Sequence, residues 1–577
     1  MKKKALLLIL LIGNYISIAQ ILFEDEALLR GVTSQSGYDG NGNGLSFADY
    51  NMDGWDDLTL PSGLGQTLTF YKNVGGFFVE DNVLSPSINY NTRSISWSDY
   101  DNDGDKDLFI VSDSEGNRLY RQDSGFVFND VTTSAGLFTD AIETYSVSWG
   151  DINNDGCLDL FFSNRTLNPS ITNYLFKNNC DGTFSNITIS AGISQSPKLT
   201  FGASFFDYNN DGLQDLYVIN DKNGSNILYK NNGDSTFTDV SISTNTGIVV
   251  DAMSVTIDDY NNDGFFDIYI TNTPSDVATP TLGSVLLKNI NGVSFEDVSV
   301  TSGALLDGWC WGSNFFDADN DSDLDLYVSC IYTLPGERQS YGFYENTTLE
   351  SFIEPNTIGF INNDLQSFGS VIGDIDNDGK ADVAVINNGL TIAPNLWKNN
   401  TTTTNNYLTV SLEGTVSNKD GIGSKIEISI NGNMQYRYII NGEGYISQNS
   451  LKEFFGLGTH TIVDYIKVYW LSGTVDTFVN VAANQILNIV EGSTLSTNPF
   501  DIHSYKVYPN PVDKILTLEG ESEIEMINIY NVQGASLIRE YPYTNKFNIN
   551  MNSLSKGVYF LKINTASGSI TKRLIKE

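Results

Sequence analysis

The chain has 577 residues, with 70 acidic side chains against 32 lysines and arginines and a formal net charge of −38. So acidic a surface excludes nucleic acid as a partner, because phosphate recognition needs the opposite sign. The length accommodates roughly two to four domains, and Gly, Asn, Ser, Thr and aromatics outweigh helix formers, which points to an all-β chain. In chain order, Lys2 to Lys4, the apolar Ala5 to Ile12 and the small-residue site Ser17-Ile-Ala19 form the pattern of a secretory signal over residues 1–19, with the mature chain starting at Gln20. The apolar run is too short to span a bilayer, and no later segment is a transmembrane candidate. Export makes disulfides feasible for the four cysteines.

Residues 20–400 are organised by one nine-residue pattern, Asp-x-(Asp/Asn)-x-Asp-Gly-x-x-Asp, which occurs seven times. Its first, third, fifth and ninth positions are Asp49, Asn51, Asp53 and Asp57; Asp99, Asp101, Asp103 and Asp107; Asp151, Asn153, Asp155 and Asp159; Asp207, Asn209, Asp211 and Asp215; Asp259, Asn261, Asp263 and Asp267; Asp317, Asp319, Asp321 and Asp325; and Asp374, Asp376, Asp378 and Asp382. Carboxylates so close repel unless a cation offsets them, and oxygen donors at these positions suit calcium, up to seven ions in all. Glycine at the sixth position permits a positive-φ turn, but the sixth copy has Ser322 there and is expected to be strained or to bind more weakly. An EF-hand would need a Glu at position twelve, where these copies carry Leu60, Ile110, Phe162, Val218, Ile270, Val328 and Val385. The loops are therefore read as calcium hairpins between strands; metal-free Asx turns are the alternative.

Around each loop lie four short strand patterns. One runs into the loop (Ser94-Ile-Ser-Trp97), one leaves it (Leu216-Tyr-Val-Ile219), one carries a Leu-Tyr-Lys-Asn theme (Leu228 to Asn231), and one follows a turn (Phe237-Thr-Asp-Val240). Four strands in a repeat of roughly 50 residues make a propeller blade. The last repeat lacks its fourth strand, and the missing piece stands at the start as Phe23-Glu24-Asp25, which predicts a seven-bladed β-propeller closed by both ends of the chain. Folding the hairpin about Asn168 brings Cys157 level with Cys180, and Cys310 and Cys330 flank the sixth loop, so two local disulfides are expected, with free buried thiols as the alternative. With Phe201-Gly202, Trp311-Gly312 and Phe368-Gly369 beside their loops, the repeats resemble the FG-GAP/VCBS repeats of calcium-binding propellers. That resemblance implies calcium loops on one propeller face.

Residues 407–491 lose the loops and alternate as strands, as in Lys425-Ile-Glu-Ile-Ser-Ile430. Their landmarks, Asn418-Lys-Asp-Gly-Ile-Gly423, Gly444-Tyr-Ile-Ser-Gln448 and Phe455-Gly-Leu-Gly458, resemble the ASPIC/UnbV domain of the cartilage acidic protein family, a β-rich domain without an assigned mechanism. A polar linker at 493–503 leads to residues 504–577. There Tyr508-Pro-Asn-Pro511, Ile529-Tyr-Asn-Val-Gln-Gly534 and Leu554-Ser-Lys-Gly-Val-Tyr-Phe-Leu561 resemble the C-terminal sorting domain of type IX secretion in Bacteroidetes-type bacteria. The resemblance implies a small β-sandwich read by the type IX secretion machinery, and a secreted or outer-membrane-attached product.

No nucleophile elbow or His-Glu-x-x-His motif occurs, and the two histidines, His460 and His503, lie outside the repeats. The expectation is a non-enzymatic binding or adhesion module for an extracellular glycan or protein; a polysaccharide lyase or glycosidase on the same propeller is the alternative. Six residues before each loop sit Asn43, Arg93, Tyr145, Phe201, Met253, Trp311 and Phe368, a ring on the innermost strands that either meets a ligand or fills the channel. The longer connections, Asn164 to Thr172, Asn272 to Gly283 and Ile331 to Ser340, with Tyr332 and Arg338, are further surface candidates.

Overall fold

The structure, a computed structural model, describes residues 21–35, 42–273, 283–333, 341–494 and 505–577, apart from 64, 223, 348, 356–359, 361–362, 390–391, 525, 532–535 and 566–567. The signal pattern, most of the linker, Arg338, His503 and the centre of the Asn272–Gly283 connection lie outside the described residues.

Every repeat folds as one four-stranded antiparallel sheet, seven in all. In the second, Ile95–Ser98 runs into the loop, Asp107–Ile110 leaves it, and Arg118–Asp123 and Val127–Asp130 follow outward. The two inner strands are buried on both faces, which is why they carry apolar runs such as Leu160-Phe-Phe162 within Asp159–Asn164. The outermost strands bury at most one residue, as Phe184–Asn186 buries only Phe184. The last sheet takes its fourth strand from the start of the chain: Phe23, Glu24 and Asp25 pair with Asn399, Lys398 and Trp397. Phe23 stacks on Phe360 at 4.5 Å, and an Asp25 oxygen accepts the Leu396 amide proton at 3.1 Å. No sheet edge is left open at that joint.

Residues 406–490 form two further sheets. One orders the strands Asn433–Tyr438, Lys425–Ile430, Ile462–Tyr469 and Val475–Ala482; the other is Glu453–Gly458, Asn406–Glu413 and Ile486–Val490. Ile426, Ile428, Ile466, Val468, Leu408, Val410 and Ile489 fill the space between them. This domain and the propeller belong to one compact unit ending at Glu491.

The second unit, from Gly492 onward, is a sandwich of a three-stranded and a four-stranded sheet. Leu516 and Leu518 from one sheet meet Ile527, Ile529, Leu561 and Ile563 from the other. Both expected disulfides form, Cys157–Cys180 and Cys310–Cys330, the second between directly opposed residues of one hairpin. Among the described residues no helix is long and apolar enough to cross a membrane.

Candidate metal centres and the domain seam

Each loop is shaped by its own first aspartate. In loop 2 the two Asp99 oxygens accept the amide protons of Asp103 (3.1 Å) and Gly104 (2.8 Å). The same pair of bonds recurs at Asp49, Asp151, Asp207, Asp259, Asp317 and Asp374. The ninth-position aspartates are buried beneath the loops and tie them to the third strand: Asp107 accepts the Gln122 amide proton at 2.8 Å and Asp159 that of Asn178 at 2.7 Å. Burial, reinforced by neighbouring carboxylates, pushes Asp107 up to about 9 and Asp57, Asp215 and Asp382 to about 8; Asp159, Asp267 and Asp325 also lie well above the usual range.

Three loops bring carboxylate oxygens within 4.8 Å of one another: Asp99, Asp101 and Asp107; Asp317, Asp319 and Asp321; Asp374, Asp376 and Asp382. Asp103, Asp325 and Asp378 are not in these groups. Loops 1, 3, 4 and 5 carry asparagine at the third position and so offer an amide oxygen in place of one carboxylate. Asp101 Oδ1, Asn153 Oδ1 and Asp267 Oδ2 are buried without a hydrogen-bond partner, which is what a side chain shaped to face a hard cation shows. The donor set therefore fits calcium. Asp155 also lies near Cys157 and Cys180, but those sulfurs are joined in a disulfide and are not thiolate ligands.

The lysine of the Lys-Asn theme reaches back to its loop, at 3.0 Å for Lys72–Asp53, 3.5 Å for Lys177–Asp155 and 3.1 Å for Lys230–Asp211. In loop 7, Lys398 is buried with its ammonium 2.9 Å from Asp376, 3.1 Å from Asp378 and 3.2 Å from Asp382. In blade 6 the equivalent residue is Glu345, so loop 6 gains an acid where its neighbours have a cation. Burial and mutual repulsion push Asp319 up to about 7 and Asp323 to about 9. Ser322 does adopt the left-handed conformation, at φ 90°, and its hydroxyl donates to the Gly456 carbonyl at 3.0 Å.

Two sets of asparagines, to which the sequence pattern assigned no role, lock the blades together. The Asn ending the third strand donates to a carbonyl of the preceding blade: Asn178 to Tyr100, Asn231 to Ile152, Asn289 to Tyr208, Asn346 to Tyr260, Asn399 to Ala318, and Asn73 to Ile375 across the closing joint. The fourth loop position is left-handed throughout, and its Asn donates to the sixth-position carbonyl of the next loop: Asn102 to Gly156, Asn154 to Gly212, Asn210 to Gly264, Asn262 to Ser322, Asn320 to Gly379 and Asn377 to Gly54. Their recurrence in register was the available signal.

All seven loops meet the 406–490 domain. Lys452 donates to the Gly54 carbonyl at 2.9 Å, Asp420 accepts the Asp99 amide proton, and Lys425 donates to Asn210. Tyr436 lies against Gly264 and Ser322 bonds Gly456. At two close approaches, a Cβ on Gly156 would stand 2.4 Å from the Val416 carbonyl, and one on Gly379 would stand 2.1 Å from the Tyr407 ring. Both glycines also have positive φ, so neither position admits a side chain.

From the same domain, residues 439–450 enter the propeller channel as a tongue. Gln448 accepts the Trp97 amide proton at 2.7 Å and donates to the Trp97 carbonyl at 2.8 Å. The Trp149 amide donates to Asn441, and the Gly444 amide to Val255. The ring Asn43, Arg93, Tyr145, Phe201, Met253, Trp311 and Phe368 is buried around the tip. Tyr445 inserts there, 5.0 Å from the Trp311 ring and 5.7 Å from Phe201. Arg93 lies 4.7 Å over Tyr145, and Arg165, unnoticed in the sequence, 4.7 Å over Phe201. The ring therefore clamps a side chain of this same chain and fills the channel.

Of the other surface candidates, the Asn164–Thr172 connection exposes Leu167, and the Tyr332 backbone pairs with Trp309. His460 is exposed on a turn after Gly458.

Residues 99–162 and 207–270 match the FG-GAP-like repeat, residues 414–496 match ASPIC and UnbV, and residues 506–577 match the secretion system C-terminal sorting domain. The chain therefore combines FG-GAP-like repeats, an ASPIC/UnbV domain and a sorting tail. It is 27% identical over 292 residues to cartilage acidic protein 1 of Xenopus tropicalis, covering 49% of this chain and 43% of that protein. The Homo sapiens protein of that name is 25% identical over 317 residues, covering 53% and 44%. The matches span less than half the length of these two relatives. Among solved structures, PorZ, a surface component of the type IX secretion system of Porphyromonas gingivalis, aligns with 94% of this chain and 82% of its own at 12% identity, with a TM-score of 0.24. The sorting tail implies dealings with the secretion machinery, export, and a cell-surface or secreted location. No catalytic family is identified among these matches.

Proposed function

We propose that the FG-GAP/ASPIC unit is a calcium-loaded, non-enzymatic scaffold that binds extracellular glycans or proteins. What carries the reading is the set of seven carboxylate loops facing one docked domain, with buried donor oxygens left without a partner. The first, third, fifth and ninth side chains of each loop would hold the ion. Calcium would supply the positive charge that buried, mutually repelling carboxylates need. Loop 6, where Glu345 replaces the usual lysine, is the loop with the greatest demand for it, and the Ser322 hydroxyl offsets the strain that otherwise predicts weak binding there. The first and ninth aspartates are held by backbone amides, which suits ion binding and leaves them poorly placed for proton transfer.

The test is the full secreted chain applied to glycan arrays and extracellular proteins in calcium and in EGTA, with elemental analysis alongside. Several calcium ions per chain and ligand retention lost in EGTA are expected. A chain without calcium, or one that releases new reducing or unsaturated ends from polysaccharide, would overturn the reading.

A further inference from the structure

Six of the seven joints between described loops are closed by the fourth-position asparagine. The joint between loops 1 and 2 has Met52 instead, which cannot donate to Gly104, and a crevice of about 440 Å³ opens there beneath the ASPIC/UnbV domain. That volume falls within the range of small-molecule sites, about 300–1,000 Å³. Met52 keeps the left-handed backbone, at φ 59°, which asparagine tolerates and a long apolar side chain disfavours, and it is 59% exposed. A residue neither suited to its backbone nor buried in a core is explained by what it faces.

It faces a lining of two kinds. Four of the lining residues are aliphatic: Met52, Leu412, Leu451 and Ile486. The polar part carries three lysines, and each is paired: Lys106 with Asp420, Lys452 with Asp56 at 3.2 Å, and Lys419 with Glu413 at 3.7 Å. The Asp420 and Asp56 side chains are almost fully buried, 3% and 2% exposed. Asp49 and Asp99, also in the lining, hold their own loop amides.

We propose that this crevice binds a neutral sugar unit of a glycan, an assignment that rests on the binding reading above. An ammonium beside a carboxylate offers a donor next to an acceptor, which matches two neighbouring hydroxyls. The aliphatic side chains cover the C–H face of the ring. At Lys106 and Lys452 a uronate or sulfate ester would have to draw the lysine from a buried carboxylate and leave that charge unpaired, which is strongly unfavourable, while Lys419 is already matched by Glu413.

The experiment presents the full chain with neutral hexose and deoxyhexose oligosaccharides and with their uronate and sulfated counterparts, and measures Kd by calorimetry. Met52→Asn restores the residue the other six joints carry. It should close the crevice, keep or raise the melting temperature, and weaken neutral-glycan binding at least tenfold. Ile486→Lys leaves the joint open but sets an unpaired ammonium among the aliphatic side chains, and it should weaken binding by a similar factor. Binding of neutral glycans within twofold of wild type in both variants would place the ligand elsewhere and overturn the crevice while sparing the binding reading. Retention of only acidic glycans or a protein would overturn the neutral-sugar assignment. Retention of nothing across all probes would remove the binding reading as well.

Discussion

The Tyr445 ring is the most direct probe of how the propeller and the ASPIC/UnbV domain are joined. It is fully buried at the tip of the tongue, edge-on to Trp311 at 5.0 Å, while Asn441 and Gln448 anchor the tongue on either side through Trp149 and Trp97. In Tyr445→Ala those anchors keep the tongue threaded, so the space left by the ring cannot collapse. Truncating a buried aromatic in that situation costs about 3–5 kcal/mol. The seven tryptophans, Trp55, Trp97, Trp149, Trp309, Trp311, Trp397 and Trp470, all lie before Glu491, so their fluorescence reports the propeller–ASPIC unit without interference from the tail. Urea unfolding followed by that signal should show one transition whose free energy falls by this amount at unchanged slope. A loss below about 1 kcal/mol, or two separate transitions in the wild type, would refute the view that the tongue makes two domains into one cooperative body.

The buried ninth-position aspartates predict a pH dependence. With Asp107 held at about 9 and Asp57, Asp215 and Asp382 at about 8, the metal-free folded chain keeps protons that the unfolded chain has already released, so its stability falls as pH rises from the ordinary carboxylate range through 8 to 9. Protein in EGTA should melt lower at pH 8 than at pH 5.5, with calcium stabilising more at pH 8; a calcium-independent, pH-flat melt would count against the metal centres. Asn399→Ala removes donors to Ala318 (2.8 Å) and Ala381 (3.2 Å) at the closing blade and should cost about 1–3 kcal/mol in urea. Ser322→Gly relieves a left-handed serine but loses the bond to Gly456, two effects of about 1 kcal/mol and opposite sign, so its stability should stay near wild type. Deleting residues 504–577 should leave a folded chain that is retained in the periplasm; its appearance outside the cell as efficiently as the full chain, by fractionation, would reduce the tail to an accessory domain.

Much of this molecule is written locally. A loop that carries its own turn residues, donors and flanking strands specifies a blade without reference to anything distant, so seven repeats and their strand order followed from spacing, while the structure decided between hairpin disulfides and free thiols. Even the closing strand was legible, because Phe23-Glu24-Asp25 repeats the pattern the last blade lacks. What distant parts of the chain do to one another was not legible. The ring of Arg93, Tyr145, Phe201 and Trp311 looked as much like an open binding mouth as a filled channel, and only the arrival of Tyr445 from beyond the last blade decided it. The seating of all seven loops under one domain, the asparagine locks and the crevice at Met52 likewise depend on which carbonyl or side chain stands opposite. A linear pattern sets what each residue can offer, and the tertiary fold sets what it meets.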